Sequence, residues 1–157
     1  MTPSVYIETS IVSYLTSRPS RDVVTAAHQQ LTLDWWNHIR PGFTTFVSEV
    51  VVQEALLGDA ESARLRLAAI EGVPLLEISD NARALAKALI AHLAIPPVAA
   101  VDALHVAIAA DNGIDYLLTW NCKHIANAKT RNLIEHCLRS RGYDPPVLCT
   151  PEELMEP

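Results

Sequence analysis

Short β-prone runs alternate with longer helical stretches along the chain, and this alternation restricts the fold more than any other feature. Residues 4–7 and 43–47 are short and rich in β-branched or aromatic side chains, which marks them as strands. Residues 74–78 form a third such run, and 116–119 a fourth behind the turn signal Asn112-Gly113. Residues 146–149 form a fifth, short and near the sheet edge. Between them the spacing predicts helices over 23–39, 60–70, 79–93, 99–110 and 126–140. Another helix starts at a Ser48 cap, runs to Leu57 and stops at Gly58. Ser79 or Asp80 caps the helix at 79, Pro96-Pro97 breaks the chain before 99, and Gly142 ends the last helix. Strands separated by helices imply right-handed crossovers and a mostly parallel α/β sheet with helices on both faces.

The 157 residues suit one compact domain, taken here as 1–157. Half of them are hydrophobic and 19% are charged, which excludes a disordered chain. No apolar run reaches the roughly 18 residues of a membrane span, and the N-terminus lacks the pattern of a signal peptide. The expected location is therefore cytoplasmic, with no membrane partner. Cys122, Cys137 and Cys149 form no Cys-x-x-Cys pair, and their odd number argues against a disulfide framework. Cys122 and His124 lack the spacing of a zinc finger.

In an open parallel sheet, ligands bind at the carboxyl ends of the strands. Four polar positions fall near such ends. Glu8 directly follows the first strand, either as an acid favoured at a helix N-terminus or as a group facing a ligand. Glu54 lies on a helix made apolar by Val50, Val51, Ala55 and Leu57, so it occupies a wet face or is buried with a partner or metal. Glu49, in the first turn, needs only a capping role. Asp102 interrupts a helix otherwise almost entirely apolar; it is a first-turn residue or a charge held inward to meet a cation. His105, three residues on, shares that face and reads first as a satisfied core histidine. Asn121 follows the fourth strand, as a turn residue or a polar group at the same edge as Glu8; Thr119 is a strand end or part of that edge. Oxygen ligands without a cysteine or histidine set point to Mg²⁺ or Mn²⁺.

The net charge of −6 is unusual for a nucleic-acid binder, but a carboxylate metal site accounts for part of it. Lys123, Lys129, Arg131, Arg139 and Arg141 face only Glu135 between positions 122 and 141, forming a phosphate-facing surface or a solvated helix face.

Together these residues resemble the PIN-domain family, in particular the toxin nucleases of bacterial VapBC toxin–antitoxin pairs, over nearly the whole chain. Ile7-Glu8-Thr9-Ser10 is similar to the family's first strand ending in acid-Thr-Ser/Asn. Glu54-Ala-Leu-Leu-Gly58 resembles its Glu-x-x-x-Gly helix, Asp102-Ala-Leu its Asp-Ala-Leu/Ile helix start, and Thr119-Trp-Asn121 its Thr-x-Asp/Asn strand end. The resemblance implies a three-layer α/β/α sandwich with about five strands, and metal-dependent RNA cleavage. It also implies a homodimer neutralised by an antitoxin. Carried over, Glu8, Glu54 and Asp102 would hold Mg²⁺ or Mn²⁺ and Asn121 would orient water or phosphate. Ser10, Thr119 and Lys123 would meet the substrate. The family's usual first acid is Asp where this chain has Glu8, and often Asp again where it has Asn121. These departures leave a rival reading, a catalytically weak PIN-like module that binds RNA or a partner protein. A nucleotide-binding domain is disfavoured, since the chain has neither Gly-x-Gly-x-x-Gly nor Gly-x-x-x-x-Gly-Lys-Ser/Thr. Trp35-Trp36 offers either an interface anchor or core filling.

Overall fold

The structure is a computed structural model that describes residues 1–155. The last two residues of the expected 1–157 domain lie outside that range.

Strand β1 (Ser4–Ile7) is the centre of a five-stranded sheet. It pairs on one side with β2 (Thr44–Ser48) and on the other with β4 (Tyr116–Leu118). Strand β3 (Leu75–Leu76) lies outside β2, and β5 (Val147–Cys149) outside β4. Every pairing is parallel, in the order β3-β2-β1-β4-β5. The central position explains the β1 sequence. A strand covered on both faces has no wet side, so Val5, Tyr6 and Ile7 are all fully buried. Burying an Ile or Leu of this kind contributes about 1.5–3 kcal/mol, which makes β1 and its neighbours Leu117 and Leu118 the anchor of the core.

Helices α1 (Thr9–Thr16), α2 (Val23–Asp34), α3 (Glu49–Ala55) and α4 (Ala60–Ala69) form one packed group. Helices α5 (Asp80–Ala91), α6 (Ala100–Asp111) and α7 (Arg131–Ser140) form the other. The crossover rule places the groups on opposite sheet faces, giving the three-layer sandwich. Alanines at 82, 86 and 88 of α5 and at 103, 107, 109 and 110 of α6 are buried, and small side chains let two helices pack extensively. Four helix starts carry the expected kind of cap: Asp22, Ser48, Asp59 and Ser79 each accept from a backbone N–H three residues on.

Three elements differ from the sequence reading. Residues 9–16 form α1, a helix that the sequence reading implied only by setting Glu8 at a helix start. The 23–39 helix is α2 followed by one π-helical turn, Trp35–Ile39, with Trp35 fully buried and the Arg40 guanidinium 4.2 Å from the centre of the Trp36 ring. The last helix starts at Arg131 rather than 126. Asn127 explains that delay: its amide donates to the carbonyls of Cys122 and Lys123 at 2.9 and 3.1 Å, and its oxygen accepts from the Lys129 N–H at 2.9 Å. Side-chain bonds of this sort give the backbone an alternative to helix. No helix among the described residues is long and apolar enough to cross a membrane.

Candidate metal centre

The strand order reverses direction at β1, between β2 and β4, so the crevice of this sheet opens at the carboxyl ends of β1 and β4. Ile7 pairs with Leu118 there, which sets Glu8 beside Thr119 one residue further on. Glu8 is the N-cap of α1, with Oε2 accepting from the Ser10 N–H at 3.0 Å. Its other oxygen accepts from the hydroxyls of Ser10 and Thr119, both at 2.5 Å. These hydroxyls have no second proton to give. Each in turn accepts a backbone N–H, Ser10 from Trp120 and Thr119 from Asn121, both at 2.8 Å. The loop after β4 is thereby stitched to the start of α1 through one buried carboxylate.

Glu54, partly buried on α3, reaches the same crevice from the β2 side. Its Oε1 accepts from the Thr9 hydroxyl at 2.6 Å and faces His105 Nε2 at 2.5 Å. His105 is fully buried on α6, and its Nε2 also lies 3.9 Å from Glu8 Oε2. Ligand atoms of Glu8, Glu54 and His105 all lie within 4.8 Å of one another. Burial pushes the Glu54 carboxyl up, but the hydrogen bond and charge of His105 and the Thr9 hydroxyl outweigh it and hold Glu54 below its ordinary range. Behind His105, Nδ1 meets the Tyr6 hydroxyl at 2.6 Å, and that hydroxyl meets Ser48 Oγ at 2.7 Å. Burial, opposed by the Ser48 bond and reinforced by the Glu8 and Glu54 charges, raises the Tyr6 phenol, so it remains protonated.

Solved VapC structures share this sheet and its helical layers, so the chain has a PIN-like fold. Solved structures with this arrangement include VapBC2 from Rickettsia felis bound to a DNA fragment from its promoter. The match has a TM-score of 0.60 and 14% identity, and covers 94% of this chain and 98% of that one. They also include Mycobacterium tuberculosis VapC20, a sarcin-ricin loop cleaving toxin, with a TM-score of 0.55 and 18% identity over 76% of this chain and 92% of that one. No family model and no curated protein matches the sequence.

The PIN-like fold brings together Glu8, Glu54, Ser10 and Thr119 from the sequence reading, and adds His105, Thr9, Tyr6 and Ser48. Asp102 occupies the first turn of α6, three residues before His105, and does not join the cluster of Glu8, Glu54 and His105. Its carboxylate takes no hydrogen bond among the described residues. Asn121 serves as a turn residue through its side-chain oxygen, which accepts from the His124 N–H at 3.0 Å. Lys123 is exposed on the loop that leaves the carboxyl end of β4. The signal for the added residues was faint but present: Tyr6 and His105 are polar-tipped side chains on otherwise apolar elements, and such tips need partners when buried.

Proposed function

We propose that this chain is a metal-dependent endoribonuclease, the toxin of a toxin–antitoxin pair, acting through the carboxyl edge of its sheet as one domain over residues 1–157. The observation that carries the reading is a pair of carboxylates, Glu8 and Glu54, at the switch point of a PIN-like fold without a Lys or Arg partner among the described residues. Two acids crowded in this way share a single imidazole, His105, among the described residues, and favour a further counter-charge. Oxygen donors of this kind suit Mg²⁺ or Mn²⁺.

Glu8 and Glu54 would hold the ion, with Asp102 at the start of α6 as the third acid. When bound, the ion supplies Lewis-acid stabilisation of phosphate charge and lowers the pKa of water. The protein's own groups do the positioning. Ser10 and Thr119 spend their protons on Glu8 and therefore act on substrate through it. Asn121 offers its free amide N–H groups to a phosphate or a water. Lys123 provides an exposed positive charge on the loop after β4 for the RNA backbone. RNA is the substrate class by likeness to VapC20, and an antitoxin the partner by likeness to VapBC2. We place the protein in the cytoplasm as a homodimer.

One observation favours the alternative, a weakly catalytic module that binds RNA or a partner protein. Asn121 replaces a fourth acid and is engaged in its own turn. Cleavage of total cellular RNA by the purified protein in Mn²⁺ or Mg²⁺, with EDTA, Glu8→Gln and Asp102→Asn alongside, separates the two. The nuclease reading expects metal-dependent cuts lost in both variants. RNA binding without turnover in any metal, by folded protein, would favour the module.

A further inference from the structure

The hydrogen-bonded line Ser48–Tyr6–His105–Glu54 is costly to build. Ser48, Tyr6 and His105 are each fully buried and come from three different elements. Phenylalanine at 6 and leucine at 105 would fill a core with no polar groups to satisfy. A buried polar group left unpaired in such a line is destabilising, so the presence of the line points to a function at its far end. That end is one atom, Glu54 Oε1.

The line fixes the Glu54 carboxylate in a specific way. His105 Nε2 at 2.5 Å and Thr9 Oγ1 at 2.6 Å both address Oε1. Oε2 has no hydrogen-bond partner among the described residues. One oxygen is pinned and the other is presented. The pinning group is itself held: the Tyr6 hydroxyl on Nδ1 stops the imidazole from rotating, and Ser48, which also accepts the Val51 N–H at 3.3 Å as the cap of α3, anchors Tyr6. Because Ser48 caps the helix that carries Glu54, the line returns to the element it serves. The edge-on contact of the Tyr6 and His105 rings, 5.7 Å between centres at 70°, adds a second restraint on the imidazole.

We propose that Tyr6 and His105 are positioning residues that present Glu54 Oε2 to the divalent ion and thereby set its affinity, without touching the ion or the RNA. This rests on the metal centre proposed above. Groups that orient a ligand from behind typically change metal affinity by roughly 10–100-fold when removed.

The test is Mn²⁺ titration of the RNA-free protein, read by electron paramagnetic resonance of the free ion, with thermal unfolding followed in parallel. Tyr6→Phe keeps the ring and is expected to weaken Mn²⁺ binding about tenfold, and His105→Leu to weaken it towards a hundredfold. His105→Gln retains an N–H able to address Glu54 and is expected to fall between wild type and leucine. A merely structural role would lower the melting temperature of these variants and leave the Mn²⁺ affinity of the folded protein unchanged, which would overturn the inference. If His105→Leu does not fold, Tyr6→Phe decides alone. Absence of Mn²⁺ binding by the wild type is a separate result and would overturn the metal centre itself.

Discussion

The two ends of the same three central strands are built from opposite materials. At the carboxyl end, buried Glu8, Thr119 and His105 and partly buried Ser10 and Glu54 meet in a hydrogen-bonded cluster. At the amino end, Pro3, Ile39, Phe43, Tyr116 and Leu154, with Gly42 and one polar side chain, His38, line a hollow of about 600 Å³. Phe43 lies between Trp35 and Tyr116 there, with ring centres 6.0 Å apart on each side. The difference follows from direction. In a parallel sheet the chain leaves each strand at the carboxyl end and begins a helix there, so unpaired N–H groups and positive helix ends gather on that edge and favour acids. The amino edge receives chain returning from helix ends and has no such field, so the chain fills it with rings.

The comparison is broken most severely by a charge change at the carboxyl end. Under the proposed metal-dependent cleavage of RNA, Glu8→Gln is expected to lower the rate by about 100-fold or more, the scale typical of removing a charge-stabilising group from an active site. Phe43→Leu at the amino end is expected to leave the cleavage rate at the wild-type level and to cost only stability, about 1 kcal/mol. Initial cleavage rates at saturating Mn²⁺, with urea unfolding of both variants, check the pair. Loss of cleavage in Phe43→Leu at unchanged fold would show that the amino-end hollow takes part in the reaction.

The same contrast explains what was legible in the sequence. All five strands were placed within a residue or two, because short β-branched runs between helical stretches leave little freedom. Glu8, Glu54, Ser10 and Thr119 were legible as strand-end or helix-face polar residues, since position alone brings strand ends together. His105 was read as a satisfied core histidine, and it is one, with both ring nitrogens partnered. That one partner is an acid of the crevice depends on α6 packing against α3, which spacing along the chain does not encode. Tyr6 escaped for a related reason: inside a continuous apolar strand a tyrosine looks like another ring until its hydroxyl is seen to meet His105. At the amino end the π-helical turn escaped as well, because its residues continue an ordinary helical pattern.

A smaller effect sharpens the comparison. Thr119→Val keeps the shape of the side chain but removes the hydroxyl that donates to Glu8 and accepts from Asn121 N–H. Leaving that buried acceptor and donor unsatisfied is expected to cost about 1–3 kcal/mol, with Thr119→Ser restoring most of it. Ser4→Ala breaks the corresponding tie at the amino end, where Ser4 Oγ donates to Asp115 Oδ2 at 3.0 Å and accepts from Asp115 N–H at 2.9 Å. That pair is exposed, water replaces the lost partners, and the expected cost is about 0.5–1 kcal/mol. Urea midpoints of the three variants against wild type measure the order; equal costs for Thr119→Val and Ser4→Ala would remove the distinction between the two ends.

The smallest effect is a pH dependence that belongs to the carboxyl end. Glu54 is held below its ordinary value of 4.5, with burial opposing and the His105 and Thr9 bonds prevailing. An acid depressed in the folded state binds its proton more readily in the unfolded chain, so its contribution is fully present above pH 4.5 and is lost as pH falls through the folded value. Asp22, Asp59 and Glu61 are also depressed and titrate in the same acid range, so the wild-type curve alone does not isolate Glu54. The difference between wild type and Glu54→Gln does isolate it, because the other three acids are common to both proteins and cancel. Unfolding free energies from pH 7 downwards are expected to keep a constant gap to about pH 5, then converge below 4.5 as the wild-type carboxylate is protonated. A gap that persists unchanged to the acid limit would mean that His105 and Thr9 do not favour the ionised form of Glu54, and that its charge does not distinguish the carboxyl end from the amino end.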